Sequence, residues 1–451
     1  MNQTTPAGQA PLSDAEGEQV LRRALWRILP FIFACYVISY LDRTNVGFAA
    51  ISMNQDLGLT ATMFGWAAGL FFFGYFIFEI PSNLLLQRFG ARVWIARIMI
   101  SWGIISMATA FATGPISFSI LRFLLGVAEA GFTPGVYLYF TYWFPGKWRA
   151  RATATFLLGI PTANIIGSPL SGLLLDVHEF AGLKNWQFLL VAEALPAVLL
   201  GIACLFVLVD NPAKARWLNA REKVWLTERL TREQREIGAT HGSTLRDAFT
   251  NSKVFVLAAI NFCNIVGSIG IGIWMPQIIK SLGMQNSTVG LVAAIPYILG
   301  AIAMTLWARL ANQSEQRLPY VAGALGLAAL SLVGAALTID PLMRMTCLSV
   351  TVASILSFQA TFWAIPSSFL TGQAAAGGLA LIVSIGNLGG FVGPFVIGLV
   401  KDATQSFSGP FYVVASVLAL GVALILWLGD PARRAPSGRT GEASLQGAGR
   451  V

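Results

Sequence analysis

The chain has 451 residues, of which 55% are hydrophobic and 11% charged, with a formal net charge of +9. A soluble protein carries about 25% charged residues, so the composition excludes a soluble globular domain and indicates a polytopic membrane protein. The basic residues sit in short clusters between apolar runs. That pattern reports membrane topology and contact with anionic lipid, and it excludes a nucleic-acid footprint.

In chain order, residues 1–26 open with MNQTTPAGQAPLSDAEGEQV. The stretch is polar, lacks the apolar centre of a secretory signal, and reads as a disordered cytoplasmic tail. Twelve spans follow at 27–50, 61–87, 93–113, 116–140, 150–176, 185–209, 253–280, 288–311, 317–338, 343–370, 377–401 and 408–429. Each run is near the length of about 20 residues that a spanning helix needs. Continuous apolar runs select helices over a barrel of alternating strands.

The polar segment 210–252 divides the spans six and six. It leaves an N-terminal half at 27–209, a C-terminal half at 253–429 and a tail at 430–451. Within it, NAREKVWLTERLTRE has helical spacing and mixed charge, as expected of a surface helix. Basic residues such as Arg22, Arg88, Arg149, Arg317 and Arg433 fall in alternate connections. The positive-inside pattern therefore places both termini and the central segment in the cytoplasm.

An internal repeat agrees with two halves. The fifth span reads GSPLSGLLLD and the eleventh GPFVIGLVKD. Gly167, Gly172 and Asp176 match Gly393, Gly398 and Asp402 in spacing, with Pro169 and Pro394 at nearby places. Matched Gly/Pro interruptions mark a duplicated transporter with a midplane site. Small residues common to helix-packing faces are the other explanation.

Charges inside the spans single out a site. In ISYLDRTNVGFA, Asp42 and Arg43 interrupt the first span, and in LRFLLGVAEAGFTPG, Arg122 and Glu129 interrupt the fourth. An Asp or Arg at a span centre costs roughly 2.5–3.5 kcal/mol, so such residues face a bundle interior or a watery cavity. Neighbours on a helix project about 100° apart, so Asp42 and Arg43 need different surroundings. Arg122 and Glu129 share a face about 10.5 Å apart along the axis, too far for a direct ion pair in a straight helix.

Tyr40 and Tyr75 add polar tips at similar depth, and Trp363 and Asn387 could complete the pocket from the second half. Packing is an open alternative for Trp363, as is helix-to-helix hydrogen bonding for Asn387. Glu79, in FEIPSN, is placed to pair with Arg88 or Arg92 in a gate, and Glu193 reads as structural. Cys35, Cys204, Cys263 and Cys347 lack metal-ligand spacing, and His178 and His241 stand apart, so neither a metal nor a cofactor is expected.

YLDRTNVGFA, GYFIFEIPSN and LRFLLGVAEAGFTPG together resemble the anion:cation symporter branch of the major facilitator superfamily. The likeness extends over essentially all twelve spans and is closest to bacterial permeases for tartrate and related organic acids, including hydroxyphenylacetate and phthalate. It implies an all-α fold of two six-helix halves related by pseudo-two-fold symmetry. It also implies proton-coupled uptake of a small organic anion by a monomer in the inner membrane. Arg43 and Arg122 would then hold carboxylate, Asp42 and Glu129 would carry protons as the coupling ion, and Tyr40, Tyr75 and Trp363 would line the site.

On this reading an anion that competes for Arg122 deprives Glu129 of its partner, so proton and anion bind cooperatively. Two departures stand out. Asn83 and Gln87, in NLLLQRFGAR, replace the Gly and Asp of the superfamily's basic-loop signature. Val383 replaces an Asn frequent in the branch, which favours a less hydroxylated or more apolar acid.

Three rival readings compete with this one. Gly167, Pro169 and Gly172 loosely resemble a drug/proton antiporter motif, but two buried arginines suit anionic cargo better. An uncoupled facilitator leaves the buried acids unexplained. A membrane enzyme or ATP-driven pump lacks the phosphate-binding loop.

Overall fold

The computed structural model describes residues 12–239, 250–314, 316–366 and 372–429. The first half runs α1 (Asp14–Asp56), α2 (Ala61–Phe89), α3 (Ala91–Thr109), α4 (Pro115–Glu129), α5 (Phe132–Trp143), α6 (Gly146–Leu157), α7 (Gly159–Leu175) and α8 (Asn185–Val207). A connecting helix α9 (Ala220–Ala239) leads to the second half. That half comprises α10 (Ser252–Lys280), α11 (Asn286–Gln313), α12 (Leu318–Leu337), α13 (Pro341–Phe362), α14 (Gly372–Thr404) and α15 (Ser408–Leu428). Among the described residues, twelve helical segments are long and apolar enough to cross a membrane. Two of them are broken, so α4 with α5 and α6 with α7 each make one crossing. Large apolar side chains such as Phe206, Leu330 and Leu426 remain exposed on the outside of the bundle, as a lipid-facing surface requires.

The first helix starts earlier than expected. The Ser13 hydroxyl accepts from the Glu16 amide while the Glu16 carboxylate accepts from Ser13, a capping box that begins α1 at Asp14. Val20, Leu21 and Ala24 are buried. Residues 14–20, expected to be disordered, are therefore helical, as is the rest of the expected tail to residue 26. The side chain of Glu222 on α9 accepts from Arg23, and Glu233 accepts from Arg149 at 2.9 Å. The connecting helix is thus pinned to the terminal end of the first half. Residues 1–11, 240–249, 367–371 (which include the end of the expected tenth span) and 430–451 lie outside the described residues.

At the end opposite the termini, the two halves meet along α2 with α14 and α7 with α11. The repeat aspartates each reach into the other half. Asp402 accepts from the Ala61 amide at 3.1 Å and the Thr62 amide at 2.7 Å, at the start of α2. Asp176 accepts from the Ser287 amide at 3.2 Å, at the start of α11. Helix N-termini carry unpaired N–H groups and partial positive charge, so both carboxylates are matched to what they meet. The repeat glycines permit the approach. A Cβ on Gly172 would lie 2.7 Å from the Asn286 carbonyl oxygen, and one on Gly398 would lie 2.2 Å from that of Ala61.

Candidate functional site

The fourth crossing breaks where the site needs it. Gly131 has φ +86°, a conformation costly for other residues, and α4 ends at Glu129 before α5 resumes at Phe132. The interruption leaves the Glu129 side chain, 0% exposed, facing α1.

Arg43 meets it there. The Arg43 Nε–H donates to Glu129 Oε1 at 2.8 Å, and Nη2 lies 2.7 Å from the same oxygen. The Ser39 hydroxyl, one turn earlier on α1, donates to that oxygen at 2.8 Å. Glu129 Oε2 finds no hydrogen-bond partner among the described residues. The guanidinium carbon of Arg43 stands 5.9, 5.6 and 5.2 Å from the rings of Tyr40, Phe71 and Tyr75. These ring faces add cation–π stabilisation to a partly dry charge.

The ion partner of Glu129 is therefore Arg43, a correction to the expectation that Arg122 plays that part. The reason is geometric. Arg122 and Glu129 are separated by almost two turns of one helix, whereas Arg43 approaches across the α1–α4 interface. Arg122 is buried, with its guanidinium 5.1 Å from the Phe71 ring. Its Nε and Nη2 have no hydrogen-bond partner among the described residues. Asp42 and Glu129 lie within electrostatic range of it.

Asp42 points away from Arg43, as their adjacency on a helix requires. It accepts from the Ser106 hydroxyl of α3 and from Asn45 Nδ2 at 3.2 Å, while Oδ2 has no partner. Beside Asn45 stands Glu193 of α8, which accepts from the Ser171 hydroxyl of α7 at 2.6 Å. The sequence sets Glu193 apart and gives no signal for Ser39, Asn45, Ser106 or Ser171. The buried carboxylates alone signalled that such donors must exist, because polar groups in a dry interior are paired. Which hydroxyls they would be required the helix packing.

A narrow cavity, part of it open to solvent, lies between the halves. Tyr40, Arg43, Thr44, Phe72 and Ile160 line it from the first half. Ser268, Gly272, Tyr297 and a set of aliphatic side chains line it from the second. The other expected site residues fall elsewhere. Tyr75 packs beside Arg43 without lining the cavity, and Arg122 lies behind Phe71. Trp363 packs edge-on against Phe362, with centroids 5.2 Å apart. Asn387 neighbours Glu79 across the α2–α14 contact.

The gate expected of Glu79 with Arg88 or Arg92 is not assembled. Neither arginine makes an ion pair with Glu79 among the described residues, and the Arg92 amide donates instead to Asp210 at 3.1 Å. Nine residues separate Glu79 from Arg88, which puts them on opposite helix faces. Arg92 follows the break at Gly90.

Comparison with known proteins adds to this geometry. Residues 32–394 and 257–449 match the Major Facilitator Superfamily. The chain is 46% identical over 422 residues to a protein of Agrobacterium vitis named "Putative tartrate transporter", covering 94% of each chain. It is 40% identical over 408 residues to a "Quinolone resistance transporter" of Acinetobacter baumannii, covering 90% of this chain and 94% of the relative. Among solved structures, the xylose transporter XylE from E. coli in a partially occluded inward-open conformation superposes with a TM-score of 0.72. That match has 14% identity and covers 91% of this chain and 98% of the other, so it speaks to the fold alone. Twelve spanning segments in two halves, a cavity between them and these likenesses lead to one conclusion: the chain is a transporter of the Major Facilitator Superfamily and not an enzyme.

Proposed function

We propose that the protein takes up a small organic anion together with protons, by alternating access of the central cavity. The observation that carries this reading is the Arg43–Glu129 pair. It joins the one charged side chain that lines the cavity among the described residues to a carboxylate with no access to solvent. While Glu129 is charged, it occupies Arg43. A proton on Glu129 removes the competing charge and frees a planar guanidinium, whose geometry matches carboxylate. A bound anion in turn draws Arg43 away and makes the proton easier to hold. The two ligands thus bind with reciprocal coupling. Asp42 is the second proton-bearing group in this reading, and no cofactor takes part.

Names of relatives support a carboxylate cargo, tartrate among the candidates. The quinolone-resistance relative keeps a drug/proton antiporter as a second reading. Proteoliposomes separate the two. Uptake of a radiolabelled carboxylate driven by an inward proton gradient supports symport, and proton-driven expulsion of a drug with no carboxylate uptake overturns it. Uptake that ignores the gradient would instead indicate an uncoupled facilitator.

The chain is proposed to act as a monomer in the inner membrane, with both termini cytoplasmic. A cysteine at Ser243, in a cysteine-free background, should react only with a membrane-permeant reagent.

A further inference from the structure

The cavity carries information about the body of the anion as well as its charge. Arg43 is the only charged side chain lining it among the described residues. Its opposite wall is aliphatic. Ile269, Ile271 and Ile273 of α10 face it together with Val352, Ile355 and Leu356 of α13. Tyr297 and Ser268 are the polar side chains that the second half adds.

We infer that the cavity is built for a monocarboxylate with a largely apolar body, carrying at most one polar group at its far end. This inference rests on the organic-anion reading and narrows it. A single cation compensates one carboxylate. A second carboxylate, as in tartrate, would lie against isoleucine and valine with no counter-charge, and a buried uncompensated charge is strongly unfavourable. Hydroxyl groups on the carbon chain would likewise lose water without gaining partners along that wall. An apolar body loses no such hydration and gains by leaving water. From the second half, only Ser268 and Tyr297 offer hydrogen bonds among the described residues.

The test is equilibrium binding to the purified full chain in lipid nanodiscs, with benzoate, hexanoate, tartrate and the neutral control benzamide as probes. Benzoate and hexanoate are expected to bind at least about tenfold tighter than tartrate, and benzamide much more weakly than benzoate. Val352→Thr keeps the shape of the wall and adds one hydroxyl, so the gap between benzoate and tartrate should narrow. The ligand-free melting temperature of that variant is read first, and the wild-type ranking stands without it.

Tartrate binding as tightly as benzoate would overturn the inference and leave the organic-anion reading intact. A gap unchanged in folded Val352→Thr would remove the aliphatic wall as its cause and so also overturn it. Benzamide binding as well as benzoate, or no carboxylate binding at all, would overturn the organic-anion reading itself.

Discussion

Glu129→Gln tests the exchange at Arg43 most directly. The amide keeps the shape of the side chain and an oxygen for the Ser39 hydroxyl and the Arg43 Nε–H, but it removes the charge. Breaking a buried ion pair from one side costs about 3–5 kcal/mol when both ions are dry. Glu129 is 0% exposed, yet the Arg43 side chain keeps 15%, so cavity water supports part of its charge. About 2–3 kcal/mol of destabilisation is therefore expected. A bound carboxylate restores the missing counter-charge, so it should raise the melting temperature of the variant more than that of the wild type. The pH dependence gives a second readout. If Arg43 is released only when Glu129 gains a proton, wild-type affinity falls about tenfold per pH unit once Glu129 is charged. In Glu129→Gln that part of the pH dependence should be lost, leaving only what Asp42 contributes. Isothermal titration from acid to mildly alkaline pH would show it. In proteoliposomes, accumulation driven by a proton gradient should collapse in the variant, while counterflow at equal pH persists. A variant that keeps the wild-type pH profile, or that still accumulates substrate at the wild-type rate, would refute the role given to Glu129.

Other perturbations probe separate parts of the molecule. Arg43→Lys removes the Nε–H that Glu129 accepts and the planar fork, and should weaken anion binding by about tenfold or more in the same titration. Asp176→Asn combined with Asp402→Asn weakens two charged caps, each worth about 0.5–2 kcal/mol. Spin labels at exposed Glu179 and Ser281 should then report longer distances as the distal end opens, and an unchanged distribution would count against a latch. Glu193 has a partnerless Oε2 and no ion pair among the described residues, so a neutral Glu193→Gln should stay within about 1 kcal/mol of wild-type stability. A loss of about 3 kcal/mol or more in chemical denaturation would mean that Glu193 is held as an anion.

The amino-acid order determined the number of crossings, because a bilayer demands about 20 apolar residues per helix and tolerates no irregular backbone facing lipid. It also exposed Asp42, Arg43, Arg122 and Glu129, since charge inside such a run is expensive and therefore conspicuous. Pairing among them was not legible. The spacing of Arg122 and Glu129 describes one helix, whereas the contact that forms joins Glu129 to Arg43 across two. It depends on the break at Gly131 and on the closeness of α1 to α4. Asp176 and Asp402 stood out as a repeat, but their meaning lay in the partner half, where each meets the start of a helix far away in sequence. Glu193 looked isolated for the same reason. Its neighbours Ser171 and Asn45 come from two other helices, and only tertiary packing decides which faces of α1, α7 and α8 are turned toward one another.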